Sequence, residues 1–273
     1  MVRAACVMMQ RDERVLLEPW LVWHGALFGY RNLYVLDNGS TDPGVLLTLA
    51  LYAGKGVRVN YARPGRANYL RKGELIGAVI RTLQARGGHD FFFPTDCDEF
   101  LLLRDGGGVC VAPEALHAHL ATLAGEARTL RIPFQFANDP TRPDHYRHFD
   151  FVKTFYAAGA FAWTDHGHHK DGSRARAGFR DTEVLHAHFH HRAFAEQVAL
   201  ARRKWHGSVD PDDKAALRDY VGDSMHLAPL LLMDAAQYEA QFNAAGAVHL
   251  PAIRARLAEL GAPLPWPGLA KEA

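Results

Sequence analysis

Two carboxylates separated by one residue follow a strongly apolar segment in the first half of the chain. Asp96 and Asp98 flank Cys97, and only Thr95 separates them from the run FFFP at positions 91–94, which is typical of a buried strand. Carboxylates held this close repel one another unless a cation neutralises them, and hard divalent cations prefer oxygen ligands. The pattern indicates a divalent metal site at Asp96 and Asp98. A solvated acidic loop with capping duties is the alternative interpretation of so short a motif.

A second polar segment, DNGSTD at positions 37–42, follows the apolar run LYVL at positions 33–36. Strand and helix patterns alternate through this part of the chain, which is typical of a parallel sheet with crossover helices. The predicted strands are 4–9, 33–36, 57–61 and 90–94, and the predicted helices are 16–28, 45–52 and 69–86. Because the carboxyl ends of parallel strands meet at one edge of a sheet, we expect both polar segments to lie at that edge, where open α/β sheets bind ligands.

Composition excludes several classes of protein. The chain has 273 residues, 48% of them hydrophobic, with 31 Lys and Arg against 30 Asp and Glu. The average hydrophobic content argues against a disordered chain, and the near-zero net charge argues against a dedicated nucleic-acid binder. No run of about 20 apolar residues could span a bilayer, and no signal peptide is apparent. Three scattered cysteines suggest a reducing compartment, so we expect a cytoplasmic protein, with peripheral membrane contact left open.

Histidine is the unusual component, with 16 residues, eight of them between His166 and His206. The alternation at His186, His188 and His190 is strand-like, so these side chains should project to one face and could present a metal ligand. Hydrogen-bonded or solvated histidines are the alternative for most of the eight. A zinc hydrolase is disfavoured because the chain has no HExxH spacing.

Four segments carry a resemblance to a known family. They are MMQRDERVLLEPWLVWHGALFGYRNLYVLDNGSTD, PTDCDEFLLL, FVKTF and LHAHFHHRAF. Together they resemble the family 2-like glycosyltransferases of GT-A fold, and more closely the branch that includes family 92. The resemblance implies a Rossmann-like α/β sheet with helices on both faces, and the amphipathic spacing after residue 192 predicts a helical C-terminal extension. Because the sequence has no internal repeats or low-complexity linkers, we expect one domain over 1–273, with a nucleotide-sugar-binding half at 1–103, an acceptor half at 104–191 and the extension at 192–273.

The resemblance also implies roles for the two polar segments. It places Asp37 and Asn38 at the nucleoside of the donor, and Asp96 and Asp98, the Asp-x-Asp (DxD) motif, at its ribose and at a divalent metal. Many family 2 enzymes have a second Asp where this chain has Asn38, so the preference for a base stays open.

Further binding residues follow from weaker parts of the resemblance. The stretch LRKG at 70–73 loosely resembles a family segment and suggests Arg71 as a nucleotide-sugar ligand. Lys153 in FVKTF matches a lysine that recurs in the branch, although a cation on a half-buried strand is an equal alternative. His188, followed by an aromatic residue and a predicted helix, is the expected third metal ligand, with His186 and His190 as rivals. The cofactor is expected to be Mn²⁺ or Mg²⁺, and a histidine ligand favours Mn²⁺.

These features predict a metal-dependent glycosyltransferase of the hexosyltransferase type. It would move a sugar from a UDP- or GDP-sugar to a hydroxyl of a carbohydrate or other acceptor, and by resemblance it should invert configuration. Such a reaction needs a general base, for which Asp165 and then Asp139 are candidates, although turn-capping is an alternative for both. The other functional hypotheses are a non-catalytic nucleotide-sugar-binding protein and, with less support, a nucleotidyltransferase.

Overall fold

The computed structural model describes residues 1–106, 108–176, 178–242 and 246–265. In chain order, strands β1 to β13 are Ala4–Gln10, Leu33–Asp37, Arg58–Asn60, Phe91–Thr95, Glu99–Asp105, Gly108–Cys110, Thr129–Ile132, Gln135–Asn138, His145–Phe149, Lys153–Ala157, Phe179–Asp181, Val184–His188 and Ala247–His249. Helices α1 to α10 are Leu17–Phe28, Pro43–Gly54, Arg66–Leu70, Lys72–Arg86, Pro113–Ala121, Phe194–Lys204, Lys214–Arg218, Ala228–Leu232, Ala235–Ala240 and Pro251–Glu259. Two short 3₁₀ helices are Tyr30–Asn32 and Met225–Leu227.

The described residues form two compact units. The first comprises Met1–Phe136, His148–His188 and Leu250–Pro265, and the second comprises Ala137–Arg147 and Phe189–His249. Helix α10 therefore belongs to the first unit, although it follows the helices of the second along the chain. The predicted division into nucleotide half, acceptor half and extension concerns ligands, and it stays a prediction.

The first unit contains a seven-stranded sheet in the order β11-β7-β10-β4-β1-β2-β3. Strands β4, β1, β2 and β3 are mutually parallel, whereas β10 runs antiparallel to both β4 and β7. The predicted α/β architecture with a parallel sheet is thus confirmed. Because β2 and β4 both run parallel to β1, the segments that follow them leave the sheet at the same edge.

Helices cover both faces of the central strand β1, whose seven residues are all buried. On one face Ala5, Val7 and Met9 form a core with apolar residues of α4. On the other face α1 contacts β1, and its Phe28 stacks on Phe93 of β4. A strand covered on both sides is apolar throughout, which explains why β1 lacks the alternation of a half-exposed strand.

The helix predicted over 69–86 is interrupted. Residues 66–70 and 72–86 form two helices, α3 and α4, which meet at Arg71.

Strand β5 begins directly after the Asp-x-Asp motif and pairs antiparallel with β6 and β12. In this register Glu99 lies opposite His188, and Leu101 lies opposite His186. The histidine strand is therefore fixed beside the residues that follow Asp98.

The second unit is mainly helical, as predicted for the section after residue 192. Its core contains Ala201, Leu217, Ala228 and Leu231 from α6, α7 and α8. Strand β13 pairs antiparallel with β9, with Ala247 opposite Arg147. Among the described residues no helix has both the length and the apolar character needed to cross a membrane.

Candidate functional site

Asp37 ends β2 and organises the loop that follows it. Its carboxylate accepts hydrogen bonds from Gln10 Nε2 at 2.6 Å and Ser40 Oγ at 2.5 Å, and from the backbone N–H groups of Gly39 and Ser40. The side chain is 2% exposed. Asp37 therefore lies at the carboxyl end of a parallel strand, and its oxygens hold the loop in shape.

Asn38 joins the loop after β2 to the loop after β3. Its Nδ2 donates to the carbonyl oxygens of Arg63 at 2.7 Å and Gly65 at 2.9 Å, and Gly65 N–H donates back to the Asn38 carbonyl at 3.1 Å. Gly39 has a φ of +86°, and a Cβ there would lie 2.9 Å from Cβ of Pro64. The amide of Asn38 has a donor role here that a carboxylate cannot fill.

Asp96 lies between two lysines at the end of β4. Lys72 Nζ is 2.7 Å from its Oδ1, and Lys153 Nζ is 2.9 Å from its Oδ2. Burial would raise the pKa of the Asp96 carboxyl, but Lys153 and Lys72 hold that pKa well below its usual range. Asp96 is therefore an anion whose two oxygens both face fixed cations.

Lys153 also neutralises a second carboxylate. Its Nζ is 2.7 Å from Glu99 Oε1, and the side chains of Lys153 and Glu99 are 4% and 0% exposed. Glu99 Oε2 in turn accepts from the backbone N–H of Asp96 at 2.9 Å. Burial lowers the pKa of Lys153, but the two carboxylates outweigh burial and raise it. Buried charges persist when they are paired in this way.

Asp98 faces His188 rather than the lysines. His188 Nε2 is 3.4 Å from Asp98 Oδ2, and the two side chains are 9% and 29% exposed. Burial lowers the pKa of His188, but Asp98 more than compensates and raises it. The two residues of the Asp-x-Asp motif thus have different partners: lysines for Asp96 and an imidazole for Asp98.

The two rivals of His188 have different surroundings. His186 is fully buried, with Nδ1 3.9 Å from Glu99 Oε2, and burial lowers its pKa to about 4. His190 follows β12 and belongs to the second unit, where it is exposed. Within the first unit His188 is the predicted histidine that lies against Asp98.

Asp165 caps a turn beside the start of α4. Its Oδ1 accepts from the backbone N–H groups of His169 at 2.7 Å and Lys170 at 3.0 Å, and its Oδ2 accepts from that of Gly167 at 3.3 Å. Burial would raise its pKa, but these N–H groups lower it overall. A Cβ on Gly73 of α4 would lie 2.5 Å from the Asp165 carbonyl oxygen, so only glycine permits this close approach.

Asp139 belongs to the second unit and also serves a turn. Its Oδ1 accepts from the Thr141 backbone N–H at 2.9 Å and the Thr141 hydroxyl at 2.6 Å, while Arg142 Nε donates to Oδ2 at 2.9 Å. Burial would raise its pKa, but Thr141 and Arg142 lower it. Both proposed bases are therefore carboxylates whose oxygens accept hydrogen bonds from neighbouring turn residues.

Of the cations at 63–72, the one that reaches Asp96 is Lys72. Arg71 lies on the surface and pairs with Glu74, Nε to Oε2 at 2.7 Å, with its side chain 55% exposed. Lys72, one residue later, is 7% exposed. The sequence pattern indicated this group of cations, but nothing in it distinguished Lys72 from Arg71. It also did not single out Glu99, although its place directly after the Asp-x-Asp motif is such a signal.

No protein-family model and no curated protein matches the chain. Solved structures do match. S. aureus TarS 1-349 is 8% identical, with a TM-score of 0.37 over 89% of this chain and 74% of that one. Glucosyl-3-phosphoglycerate synthase from Mycobacterium tuberculosis in complex with phosphoglyceric acid is 17% identical, with a TM-score of 0.36 over 73% and 76%.

A structure of the same synthase with Mn²⁺, UDP-glucose and phosphoglyceric acid is 16% identical, with a TM-score of 0.36 over 71% of this chain and 74% of that one.

Proposed function

We propose that this protein is a metal-dependent glycosyltransferase of GT-A fold that moves a sugar from a UDP- or GDP-sugar to an acceptor hydroxyl. The observation that carries the proposal is the pairing of Asp98 with His188 at the carboxyl edge of the parallel sheet, at 3.4 Å. Asp96, two residues earlier, is held by two buried lysines. The motifs that resemble family 2-like glycosyltransferases are those that supply these residues.

The donor atoms of Asp98 and His188 suit a divalent cation. An octahedral ion about 2.1 Å from each ligand holds adjacent ligands about 3 Å apart, which is close to the observed separation. A carboxylate oxygen with an imidazole nitrogen suits Mn²⁺ better than Mg²⁺. When bound, such an ion would offset the negative charge that develops on a departing nucleoside diphosphate.

The remaining residues position the donor. Asp37 and Asn38 fix the loops after β2 and β3, which we assign to the nucleoside by resemblance. Lys72 and Lys153 keep Asp96 ionised and immobile, so its carboxylate geometry is set before a ribose hydroxyl arrives. Arg71 stays a donor ligand predicted from the sequence, and in the structure its guanidinium pairs with Glu74.

A second candidate function is nucleotide-sugar binding without transfer. The observation that favours it is the state of the two proposed bases, because Asp165 and Asp139 both have lowered pKa values and both cap turns. A general base works best with a pKa near the operating pH. Asp165 remains our proposed base, since it lies in the first unit with the Asp-x-Asp motif. An inverting outcome and a cytoplasmic location stay predictions from the sequence.

The test combines nucleotide binding with turnover. Thermal shifts with UDP and GDP, with and without Mn²⁺, identify the nucleotide, and release of nucleoside diphosphate from a panel of matching donor sugars measures transfer or slow hydrolysis. Asp98→Asn should abolish both responses. Asp212→Asn, which alters an exposed carboxylate of the second unit, should leave both unchanged.

Mn²⁺-dependent binding with turnover supports the transferase. Binding without release of nucleoside diphosphate from any donor supports the second candidate. Absence of nucleotide binding in both the presence and the absence of Mn²⁺ would refute both functions.

A further inference from the structure

Two phenylalanines that precede β10 expose their rings to solvent. Phe149 and Phe151 are each 40% exposed. Their ring centres lie 5.4 Å apart and their planes are 23° from parallel, so the two rings stack. A single exposed apolar side chain is ordinary, but two stacked rings form a continuous aromatic surface. This surface of Phe149 and Phe151 is the aromatic platform.

The surrounding contacts explain why the two rings meet. Phe151 N–H donates to the Phe149 carbonyl oxygen at 2.7 Å, which closes a three-residue turn and brings the two residues together. The fully buried Gln135 donates from Nε2 to the Phe151 carbonyl oxygen at 2.8 Å. The Phe151 ring also makes an edge contact with the His169 ring, with centres 4.4 Å apart. The platform is therefore built before any ligand arrives, which lowers the entropic cost of binding one.

The platform adjoins the Asp-x-Asp motif. The centre of the Phe149 ring is 6.4 Å from that of His188, the histidine that pairs with Asp98. Lys153 Nζ, the ammonium group of the buried charge cluster, is 5.9 Å from the centre of the Phe151 ring. All of these residues belong to the first unit. The exposed aromatic surface thus begins within one side chain of the proposed metal site.

The order of the strands gives the position of the platform relative to the proposed nucleoside site. Along the sheet the strands β10, β4, β1 and β2 are successive neighbours. Because β10 runs antiparallel to β4, it begins at the edge where β4 and β2 end. Phe151, two residues before β10, is therefore at the same edge as Asp37 but three strand spacings away, about 14 Å. Asp96, at the end of β4, lies between them.

This order favours the acceptor as the occupant of the platform. We assign the nucleoside to the loop after β2 and the diphosphate to the Asp-x-Asp motif, so the transferred sugar points toward β10. In an inverting transfer the acceptor hydroxyl approaches the sugar from the side opposite the departing diphosphate, and it must be held in that position. The platform lies on that side. A nucleobase, which could also stack on aromatic rings, has its proposed site three strand spacings away.

The chemistry of the platform favours a sugar ring. A pyranose presents C–H groups on its faces and hydroxyl groups around its edge. The C–H groups carry partial positive charge, which is attracted to the electron-rich face of an aromatic ring. Asp150, whose side chain is 92% exposed, lies between the two phenylalanines, 3.3 Å from His148 Nε2, and its carboxylate can accept from sugar hydroxyls.

The size of the platform argues against a protein partner. Two phenylalanines at 40% exposure present about 160 Å² of surface. A stable protein interface needs about 800 Å² from each partner. The platform is therefore of the size that one small ring covers.

We propose that Phe149 and Phe151 are the surface on which a pyranose ring of the acceptor stacks, so that the acceptor is a carbohydrate rather than another hydroxyl compound. This inference rests on the proposed function and names the class of acceptor for it. Asp150 accepts hydrogen bonds from hydroxyl groups of that ring. The two phenylalanines position the acceptor and take no part in making or breaking bonds.

The experiment is saturation-transfer NMR of the full chain with methyl glycosides of glucose, galactose, mannose and N-acetylglucosamine, in both anomeric forms. This measurement detects weak binding and identifies which C–H groups of the sugar touch the protein. It needs neither nucleotide nor turnover, so it is independent of the transferase activity. Each protein is also tested for thermal shifts with UDP and GDP in the presence of Mn²⁺.

Three variants separate stacking from other effects. Phe149→Leu/Phe151→Leu keeps an apolar surface but removes both rings, whereas Phe149→Tyr/Phe151→Tyr keeps the rings. The control is Phe179→Leu, which removes a 39% exposed ring of the first unit. Phe179 begins β11, which runs parallel to β4, so it lies at the opposite edge of the sheet. Melting curves check that every variant folds.

We expect at least one glycoside to receive saturation on the C–H groups of one ring face in the wild type. The leucine double variant should weaken this binding at least about fivefold, because both stacking surfaces are lost. The tyrosine double variant and Phe179→Leu should bind as the wild type does. The thermal shifts with nucleotide should be the same in all four proteins.

The proposal is overturned if no glycoside binds the wild type, with or without nucleotide and Mn²⁺, or if the leucine double variant binds equally well. It is also overturned if that variant loses the thermal shift with nucleotide, because the rings would then serve the donor. A wild type that binds glycosides through these rings but binds no nucleotide would refute the proposed function and support the sugar site.

Discussion

Replacing Lys153 by methionine tests whether the charges around the Asp-x-Asp motif are organised as described. Methionine keeps the apolar stem of the side chain but removes the ammonium group, which lies 2.9 Å from Asp96 Oδ2 and 2.7 Å from Glu99 Oε1. Asp96 retains Lys72 at 2.7 Å, whereas Glu99, at 0% exposure, loses its ammonium partner. The perturbation therefore leaves one buried carboxylate without its counter-charge.

Breaking a buried pair in this way costs about 3–5 kcal/mol. Each kcal/mol shifts the melting temperature of a chain of this size by about 2–4 °C, so Lys153→Met should melt about 10 °C lower than the wild type at neutral pH. The control is Arg104→Met, which breaks the Arg104–Glu183 pair, whose side chains are 42% and 45% exposed. An exposed pair contributes about 0–1 kcal/mol, so this variant should melt near the wild type.

A double-mutant cycle identifies the cause. Combining Lys153→Met with Glu99→Gln removes both the ammonium group and the carboxylate that would be left alone. The double variant should therefore be more stable than the sum of the single effects, with a coupling of at least about 1 kcal/mol in urea denaturation. If Lys153→Met loses no more stability than Arg104→Met, or if the two effects simply add, the description of the buried charge cluster is refuted.

Three further predictions concern the surroundings of the site. Asn38→Asp should lower the free energy of unfolding by about 1–3 kcal/mol in urea titrations, because a carboxylate cannot donate to the carbonyls of Arg63 and Gly65; a stability equal to wild type would contradict this. Gly73→Ala should lower the free energy of unfolding by about 1–3 kcal/mol, because the added Cβ would lie 2.5 Å from the Asp165 carbonyl oxygen, and this outweighs the helix preference of alanine. A variant more stable than the wild type would contradict this prediction. Burial lowers the pKa of His24 to about 3, so as the pH falls the unfolded state binds a proton on His24 before the folded state does. The free energy of unfolding is therefore unaffected by this group above pH ~6.5 and falls by about 3 kcal/mol by pH ~4.5. His24→Gln should reduce that loss in melting curves recorded across this pH range.

The parallel sheet could be predicted because its signals are local. Strands β1, β2 and β4 are apolar runs bounded by turn residues, and their alternation with helices implies parallel order. The break at Arg71 could not be predicted in the same way. It brings Lys72 to Asp96 and Gly73 against the Asp165 carbonyl, and both contacts join residues far apart in the chain.

The candidate site was predictable in its residue types but not in its partners. The two carboxylates of the Asp-x-Asp motif are equivalent in sequence, yet Lys153, 57 residues after Asp96, bonds to that carboxylate. Likewise His186 and His188 share one face of β12. The register with β5 gives them different neighbours, because it sets His188 opposite Glu99, the residue that follows Asp98, and His186 opposite Leu101.

The central claim is that Asp98 and His188 form a metal site on which nucleotide binding depends. Its most direct test is calorimetric titration of UDP and GDP, with and without Mn²⁺, into the wild type and His188→Gln. The account predicts that Mn²⁺ tightens the binding of one nucleotide to the wild type. In His188→Gln that gain should be lost while the melting temperature stays near that of the wild type. Equal affinity with and without Mn²⁺ in the wild type, or an undiminished Mn²⁺ effect in the variant, would contradict the claim.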